Sequence, residues 1–263
     1  MRITSLLYHD VIENGNFRES GFNGSGPDSY KLDLPDFKSH LEVSAPKLSG
    51  QAARFNEFLK AGRVDAEVLR LITFDDGGVS FLTRIAPLLE NYQAIGLFFI
   101  ATGFLDTDGF LTKAQVKELH NRGHIIGSHS HSHPKIISNL SYEELLTEWT
   151  TSKDMLGDIV GEEILTASVP GGFYSGQVAK SAEEAGFKVL FTSEPTNKVE
   201  MVGRCYVAGR YSIKQNDPPS KAAKIVNHDL FFFAKEFLYW NLKKLLKNSL
   251  GNNYLKLREK LLR

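Results

Sequence analysis

Two adjacent carboxylates, Asp75 and Asp76, directly follow an apolar run and precede two glycines. The run, residues 68–74, has the length and β-branched content of a buried strand, so the acids stand where a strand ends. Neighbouring side chains of a strand point to opposite faces, and these two can share a site only if the backbone turns, which the glycines permit. Close carboxylates raise each other's pKa unless a cation ionises both, and we therefore expect a metal ion here.

The same two residues also allow a purely structural interpretation. Asp-Gly is a common turn dipeptide, so Asp76 can simply occupy a turn while Asp75 caps a following helix. The carboxylate pair alone does not separate the two interpretations.

Three histidines form a second group of candidate ligands. His129, His131 and His133 alternate with serines after residues 124–128, which have the composition of a strand. Both groups follow strands, so we expect them to face the same end of the fold. Catalytic zinc sites typically use three protein ligands, and one carboxylate with two imidazoles completes such a set. The spacing leaves open which two histidines bind, and a histidine-rich surface loop with adventitious metal affinity is the alternative.

Strands and helices alternate along the elements that must position these side chains. The apolar spacing predicts strands at residues 3–8, 68–74, 94–101, 124–128, 165–169 and 187–192, and helices at 35–43, 51–59, 80–92, 112–123, 141–160 and 176–185. Repeated units of this kind favour a parallel sheet, closed or open, with its functional face at the strand C-termini. A polar, glycine-rich stretch, residues 13–30, is predicted to be a loop or lid.

Composition limits the classes of function. The 263 residues suffice for one large α/β domain, and 31 basic residues balance 31 acidic ones, which gives no indication of nucleic-acid binding. The single cysteine, Cys205, excludes an intramolecular disulfide and a cysteine zinc cluster. The first residues begin a strand with no signal-peptide core, and no apolar span approaches the length of a membrane helix, so we expect a cytoplasmic protein.

The C-terminal residues differ in kind from the rest. Helix formers dominate from Ile225, with a break at residues 251–253, which predicts a helical hairpin appended to the main domain. We therefore divide the chain into a barrel domain, residues 1–215, and a C-terminal helical extension packed on it, residues 216–263. The last stretch is strongly basic, with Lys243, Lys244, Lys247, Lys256, Arg258, Lys260 and Arg263 against Glu259. A basic amphipathic helix can make weak contact with an anionic membrane surface, and a solvated face on a packed helix is the alternative.

With both ligand groups in view, the sequence resembles the polysaccharide deacetylases of carbohydrate esterase family 4, whose shared region is the NodB homology domain. That family carries a Thr-Phe-Asp-Asp-Gly motif, found here at residues 73–77, and a His-Ser/Thr-x-x-His motif, found at residues 129–133. The resemblance covers roughly residues 1–212 and implies a distorted (β/α)7-type barrel. It also implies that Asp75 is the catalytic base and that the metal ligands are Asp76, His129 and His133, while His131 falls at a position the motif leaves unassigned.

The family's third motif, Arg-x-Pro-Tyr/Phe-Gly, is matched only in part at residues 168–174. Ser168 stands where the arginine that orients the base is expected, and Arg204 or Arg210 from another strand is a candidate replacement. The resemblance suggests substrate or oxyanion contacts from this segment, with the Gly171 amide as the best oxyanion donor. The candidate residues are Pro170, Gly171, Gly172 and Tyr174.

The family also uses a histidine as general acid. Many members carry it near the C-terminus, where His228 is a candidate, and others place it after a first strand ending in Tyr-His, as in Tyr8-His9. We favour His9, because the end of the first strand lies on the active face of a barrel.

The resemblance thus implies a metal-dependent hydrolase that removes the acetyl group from an N-acetylated glycan by a metal-bound water, with zinc expected and nickel, cobalt or iron as alternatives. A substrate in exopolysaccharide biosynthesis near the inner membrane face is favoured. Two other interpretations remain open: a cyclic amide or imide hydrolase of the same superfamily, and an inactive carbohydrate-binding relative. The oligomeric state is not predicted.

Overall fold

The computed structural model describes residues 1–62 and 68–250, with side chains through residue 242. Its strands are β1 (Arg2–Tyr8), β2 (Val11–Ile12), β3 (Leu32–Asp33), β4 (Val68–Phe74), β5 (Leu97–Ile100), β6 (Ile125–Ser128), β7 (Thr166–Ser168), β8 (Val189–Phe191), β9 (Val199–Val202), β10 (Cys205–Ala208) and β11 (Tyr211–Ser212). Its α-helices are α1 (Ser25–Asp28), α2 (Leu34–Leu48), α3 (Gln51–Ala61), α4 (Ala86–Asn91), α5 (Lys113–Asn121), α6 (Tyr142–Val160), α7 (Gly176–Glu184), α8 (Pro219–Val226) and α9 (Leu230–Leu250).

Nine strands form one curled sheet in the order β11-β1-β4-β5-β6-β7-β8-β10-β9. All neighbours are parallel except β9 and β10. Strand β10 pairs with β8, and after Gly209 and Arg210 the same stretch of chain continues as β11 and pairs with β1. One interrupted strand therefore joins the two edges, and seven parallel strands close a distorted (β/α)7-type barrel.

Two apolar cores hold the barrel. The inner core contains strand residues such as Leu71, Phe99 and Phe191, and α3 contributes Phe55 and Phe58, which close the amino-terminal end of the barrel. The outer core lies between the sheet and the surrounding helices. Because both faces of the central strands are buried, their sequences are nearly continuous apolar runs rather than alternating ones.

The (β/α)7-type barrel and its six predicted strands are confirmed, with ends that differ from the prediction by at most three residues. The predicted helix 80–92 begins as a π-helical turn, Phe81–Ile85, before α4. Sequence analysis did not predict β9, β10 or β11, whose short strands have mixed polarity.

The C-terminal extension is described only in part. Helix α8 packs against α2 and β1, and α9 follows it, whereas the break at residues 251–253, and with it the hairpin, lies outside the described residues. The division at residue 215 stays a prediction. Both interpretations of the basic stretch, membrane contact and a solvated polar face, concern residues 243–263, whose side chains lie outside the described residues. The described part of α9 exposes large apolar side chains. No helix among the described residues is both long enough and apolar enough to span a membrane.

The segment predicted as a loop or lid, residues 13–30, lies over the carboxyl end of β1 and contains only the short helix α1. The ammonium of Lys31, which is 1% exposed, donates to the Phe17 carbonyl and the Asn23 side chain and lies 3.4 Å from Asp28. Internal hydrogen bonds of this kind give the segment a defined shape. We call residues 13–31 the strap.

Candidate active site

The backbone turns sharply at the carboxyl end of β4. Asp76 and Gly77 adopt φ values of 91° and 94°, so the second carboxylate residue itself takes a left-handed conformation that few non-glycine residues adopt. Gly78 serves a different purpose, because a Cβ at that position would overlap the carboxyl group of Asp10. The turn brings Asp75 and Asp76 to the same face.

Asp75 is held by Arg210, which lies at the interruption between β10 and β11. The guanidinium donates from NH1 to Oδ1 at 2.7 Å and from NH2 to Oδ2 at 2.8 Å. Ser168 joins the pair, accepting from Arg210 NH2 at 2.6 Å and donating to Asp75 Oδ2 at 3.1 Å. Because these contacts occupy its carboxylate, Asp75 does not cap a helix.

Arg210 therefore lies where the motif comparison lacked an arginine, and the other candidate does not. The Arg210 side chain is fully buried between the rings of Phe99 and Phe191, and its guanidinium carbon lies 5.5 and 5.9 Å from their centroids. The Arg204 side chain is 95% exposed and pairs with Glu183 instead. The signal in the sequence was an arginine directly after Gly209, between two strands that had not been predicted.

The charge state of Asp75 follows from these neighbours. Burial alone would raise the pKa of this carboxyl, but the charges of Arg210 and His129 and the Arg210 hydrogen bonds outweigh it and hold the pKa below its usual value. Asp75 is thus a buried carboxylate kept ionised by a paired cation.

Asp76, His129 and His133 form a group whose ligand atoms all lie within 4.8 Å of one another. His129 Nε2 and His133 Nε2 are 3.4 and 3.5 Å from Asp76 Oδ1. Burial opposes ionisation of Asp76, yet the hydrogen bonds from the two imidazoles and the charge of His9 hold its pKa well below the usual range. Two imidazoles converging on one carboxylate are a donor set suited to a divalent transition metal.

Neighbouring groups orient these imidazoles. His129 Nδ1 lies 3.1 Å from the Ser168 carbonyl, which favours a proton on Nδ1 in the neutral imidazole and leaves Nε2 to bind a metal ion. His133 adopts φ 52°, and the Phe22 ring of the strap packs on its imidazole at a centroid distance of 4.7 Å.

His131 is turned away from this group. Its Nδ1 lies 2.9 Å from the Thr102 hydroxyl. Its backbone N–H and that of Ser132 donate to Glu148 Oε2 at 2.9 and 2.8 Å, and the Ser132 hydroxyl donates to Oε1 at 2.6 Å. The Glu148 carboxylate on α6 therefore fixes the loop that carries His129 and His133, a contact that sequence analysis missed.

His9 follows β1 beside the Asp75 turn, where the Asp75 amide donates to the Tyr8 carbonyl at 3.1 Å. Burial lowers the pKa of His9, while the nearby carboxylates of Asp76 and Asp75 oppose the shift. Its Nδ1 is buried and has no hydrogen-bond partner among the described residues. Such an atom is costly to leave unpaired, whereas the imidazole as a whole is only partly buried and can be reached by a bound molecule.

His228 lies at the other end of the barrel. Its Nε2 is 2.9 Å from the hydroxyl of Thr4, which precedes His9 by five residues of an extended strand, or roughly 16 Å. The structure thus brings only His9, of the two histidines considered for the general acid, close to the carboxylate pair.

The segment suggested for substrate contacts begins directly after β7. Pro170 to Gly172 form a helical turn in which Gly171 and Gly172 have φ values of 60° and 70°. Gly171 is exposed, whereas the Gly172 amide donates to the Val169 carbonyl at 3.4 Å. Tyr174 packs against the outer core. Burial raises its pKa, as do the charges of Glu200 and Glu194.

Asp10 is a third buried carboxyl beside the site, and sequence analysis assigned it no role. Its Oδ1 accepts from the hydroxyls of Ser20 and Ser80 at 2.5 and 2.7 Å. Burial raises its pKa to about 6 despite these hydrogen bonds, and Asp76 adds to the shift.

A second strap residue, Tyr30, packs on His9 with ring centroids 4.7 Å apart. The strap therefore borders the site on both sides.

Comparison with known sequences gives one consistent result. The family model described as polysaccharide deacetylase matches residues 64–190. The Bacillus subtilis protein YxkH is 29% identical over 198 residues, which are 74% of this chain and 65% of the relative. The peptidoglycan-N-acetylglucosamine deacetylase of Bacillus cereus is 33% identical over 128 residues, 48% of this chain and 57% of the relative. The chain thus spans between about half and two thirds of the length of these relatives.

Comparison with solved structures supports the fold. IcaB from Ammonifex degensii matches with a TM-score of 0.66 at 19% identity, covering 86% of this chain and 96% of that one. The Streptococcus pyogenes deacetylase PplD, solved in complex with acetate, matches with a TM-score of 0.65 at 20% identity, covering 86% and 98%. At these identities the likeness concerns the barrel.

Proposed function

The chain belongs to the polysaccharide deacetylase family, and from that premise we propose that it hydrolyses the N-acetyl amide of an N-acetylated glycan, releasing acetate and a free amine. One observation carries the proposal. A buried carboxylate, Asp75, held ionised by Arg210, adjoins a carboxylate and two imidazoles that converge on one point. A proton acceptor beside a metal-binding group is the arrangement that amide hydrolysis by water requires.

Asp75 is the proposed general base. Its carboxylate accepts the proton of the attacking water, and the bidentate contact with Arg210 fixes the direction in which its oxygens point. Ser168 adds a third donor at 3.1 Å. Because the same contacts stabilise the ionised form, they make the carboxylate a weaker base. They also keep it ionised, and so able to accept a proton, at any pH above its lowered pKa.

His9 is the proposed general acid. Its partly exposed imidazole beside Asp75 and Asp76 supports a proton donation to the nitrogen of the departing amine as the carbon–nitrogen bond breaks. Burial lowers the pKa of His9, so the protonated form is populated mainly on the acid side of neutrality, while Asp76 and Asp75 counter this shift. The exposed amide of Gly171 is the proposed donor to the oxygen of the acetyl carbonyl, a role in which a backbone N–H stabilises developing negative charge.

Asp76, His129 and His133 would hold the divalent metal ion, which we propose to be zinc. The donor set fits, since both imidazoles direct Nε2 at the carboxylate and the Ser168 carbonyl fixes the tautomer of His129. When bound, such an ion supplies Lewis acidity that makes water nucleophilic near neutral pH and polarises a carbonyl.

The proposed substrate is a glycan that contains N-acetylglucosamine. The relative that is 33% identical, named a peptidoglycan-N-acetylglucosamine deacetylase, supports this class. The alternative of a cyclic amide hydrolase rested in part on the missing motif arginine. Arg210 supplies that charge from the stretch between β10 and β11, which removes this support for the alternative.

The test is acetate release from N-acetylglucosamine oligomers by the full chain, before and after removal of metal with a chelator and after addition of zinc. We expect activity that is lost with the metal and restored by zinc, and that is absent in Asp75→Asn. Hydantoin and allantoin are the comparison substrates. Turnover of either cyclic compound without acetate release from the oligomers would overturn the proposal, as would tight binding of the oligomers without any hydrolysis.

A further inference from the structure

Helix α9 is attached to the barrel along one side. Asp229 caps its first turn by accepting from the Phe232 amide at 2.9 Å. Phe233 then stacks on Tyr211 of β11, with ring centroids 4.6 Å apart and planes at 16°. Glu236 and Trp240 continue this half-buried side at helical spacing. The attachment fixes which side of α9 faces outward.

The outward side is apolar. Nine large apolar side chains are exposed in the described part of the chain, and six of them lie within residues 230–242. They are Leu230, Phe231, Phe237, Leu238, Tyr239 and Leu242. At 100° per residue, all of these except Tyr239 fall within roughly 140° of the helix circumference. Phe231 is 83% exposed and Leu230 77%. We call this set the α9 apolar face.

Basic residues are concentrated in the segment of sequence that contains α9, and the rest of the chain is acidic. Residues 230–263 contain eight basic and two acidic residues, whereas residues 1–229 contain 23 and 29. The described surface where α9 begins is also basic. After the effect of burial, the charges of Arg70 and Arg2 lower the pKa of His228 there. The segment of sequence that carries the exposed apolar side chains therefore also carries the excess of positive charge.

We propose that α9 lies in the interface of a membrane that contains anionic lipids, with its apolar face among the acyl chains and the basic residues at the headgroups. An exposed apolar stripe on a helix, in a segment of sequence rich in lysine and arginine, is the pattern of an interfacial helix. The concentration of positive charge selects a lipid surface over a second copy of this chain, because two copies placed face to face would bring like charges together. This site is separate from the deacetylase chemistry and is tested without it.

The experiment measures binding of the full chain to vesicles by co-sedimentation. The vesicles contain phosphatidylcholine alone or phosphatidylcholine mixed with phosphatidylglycerol. We expect binding to the mixed vesicles, weakening as salt is raised, and a loss of affinity of roughly tenfold or more in Phe237→Ser/Leu238→Ser/Leu242→Ser. The matched control is Val43→Ser/Met201→Ser, which removes exposed apolar side chains far from α9 along the chain and is expected to bind as the wild type does.

Tryptophan fluorescence gives a second measurement that does not depend on the triple variant. Of the two tryptophans, Trp149 is fully buried in the core and Trp240 lies on α9. Trp240 lies on the attached side, so the probe is Leu238→Trp in a Trp240→Phe background, which places a tryptophan on the α9 apolar face. Brominated phosphatidylcholine in mixed vesicles should quench this variant and leave the Trp240→Phe parent unquenched.

Three results would overturn the proposal. In the first, the wild type does not bind mixed vesicles. In the second, the wild type and the triple variant bind equally. In the third, the wild type is a dimer and the triple variant a monomer, and neither binds vesicles. Acetate release from soluble oligomers, measured in parallel, is expected to be the same in wild type and triple variant, so failure of the membrane proposal and failure of the deacetylase proposal are distinguishable.

Discussion

Arg210 and Asp75 lie 135 residues apart in the chain and form a buried, bidentate ion pair with N–O distances of 2.7 and 2.8 Å. The pair crosses the interior of the barrel from the interrupted last strand to the end of β4. An uncompensated charge at this depth is strongly destabilising, so each residue depends on the other. Asp75 is ionised because Arg210 is there.

Substitution of Arg210 tests this dependence. Without the guanidinium, burial dominates and the pKa of Asp75 rises. Activity requires the ionised base and is lost as pH falls through that pKa, so the acid limb of the kcat/KM profile should move to higher pH in Arg210→Gln. Arg210→Lys keeps the positive charge but loses the bidentate contact with the Asp75 carboxylate. We expect kcat to fall by about 10²-fold in the lysine variant and further in the glutamine variant. Arg204→Gln is the control and should resemble the wild type.

Ser168→Ala separates the hydroxyl from the guanidinium. The alanine variant loses the 3.1 Å donor to Asp75 and leaves the two Arg210 contacts in place. One hydrogen bond to a charged group contributes about 1.5–3 kcal/mol, which sets an upper limit of about 10²-fold on the fall in kcat/KM. Pre-steady-state and steady-state measurements on the same oligomer would check it. A loss as large as that of Arg210→Gln would show that Ser168 does more than support the pair.

The sequence predicted the barrel and most of the residues at its mouth, because strand-forming apolar runs end directly in Asp75 and His129. It named Arg204 and Arg210 as candidates for the motif arginine but could not choose between them, since β10 and β11 are short, contain polar residues and exchange partners at Gly209. An added Cβ at that glycine would overlap the Glu194 carbonyl. Contacts across the barrel, such as Glu148 with the His131 and Ser132 amides, depend on which helix packs behind which loop. The spacing of residues along the chain does not contain that information.

Metal content should separate the three histidines. His129→Ala and His133→Ala each remove one of the atoms that converge on Asp76, so both should lose bound zinc and activity together. His131 points to Thr102 instead, and His131→Ala should keep most of its zinc. Elemental analysis of each purified variant gives the answer directly. Stoichiometric zinc in His133→Ala would contradict the proposed ligand set.

Glu148→Gln extends the same measurement to the loop that carries the ligands. The glutamine keeps one oxygen for the backbone amides but loses the carboxylate that accepts from His131, Ser132 and the Ser132 hydroxyl. Residues that orient metal ligands typically change metal affinity by about 10–100-fold, and we expect a loss in that range, measured by competition with a chromogenic chelator. Glu143→Gln, on an exposed position of the same helix, is the matched control.

The proposed acid, His9, can be tested with substrates that differ in their leaving group. A sugar amine must be protonated as it leaves, whereas 4-nitrophenolate need not be. His9→Gln should therefore lose activity on N-acetylglucosamine oligomers and retain much of its activity on 4-nitrophenyl acetate.

In the wild type, kcat/KM on the oligomers should fall as pH rises through the lowered pKa of His9. His228→Gln, altered at the other end of the barrel, should leave both reactions unchanged, and equal losses on both substrates in His9→Gln would rule out the acid role.

Asp10 should make the wild-type protein less stable as pH rises. Its folded-state pKa is raised to about 6, above the unfolded value of about 3.9, so the folded state binds more protons between these two values and the free energy of unfolding falls with pH across that window. Asp10→Asn keeps an oxygen for Ser20 and Ser80 and carries no charge. The variant should match the wild type near the lower pH limit and exceed its free energy of unfolding by up to about 3 kcal/mol at neutral pH. Urea unfolding at several pH values measures the difference between the two proteins, and Asp108→Asn, at an exposed loop position, controls for the loss of one negative charge. A variant that is less stable than the wild type at neutral pH would mean that the strap and the Gly78 turn stabilise the charged form of Asp10.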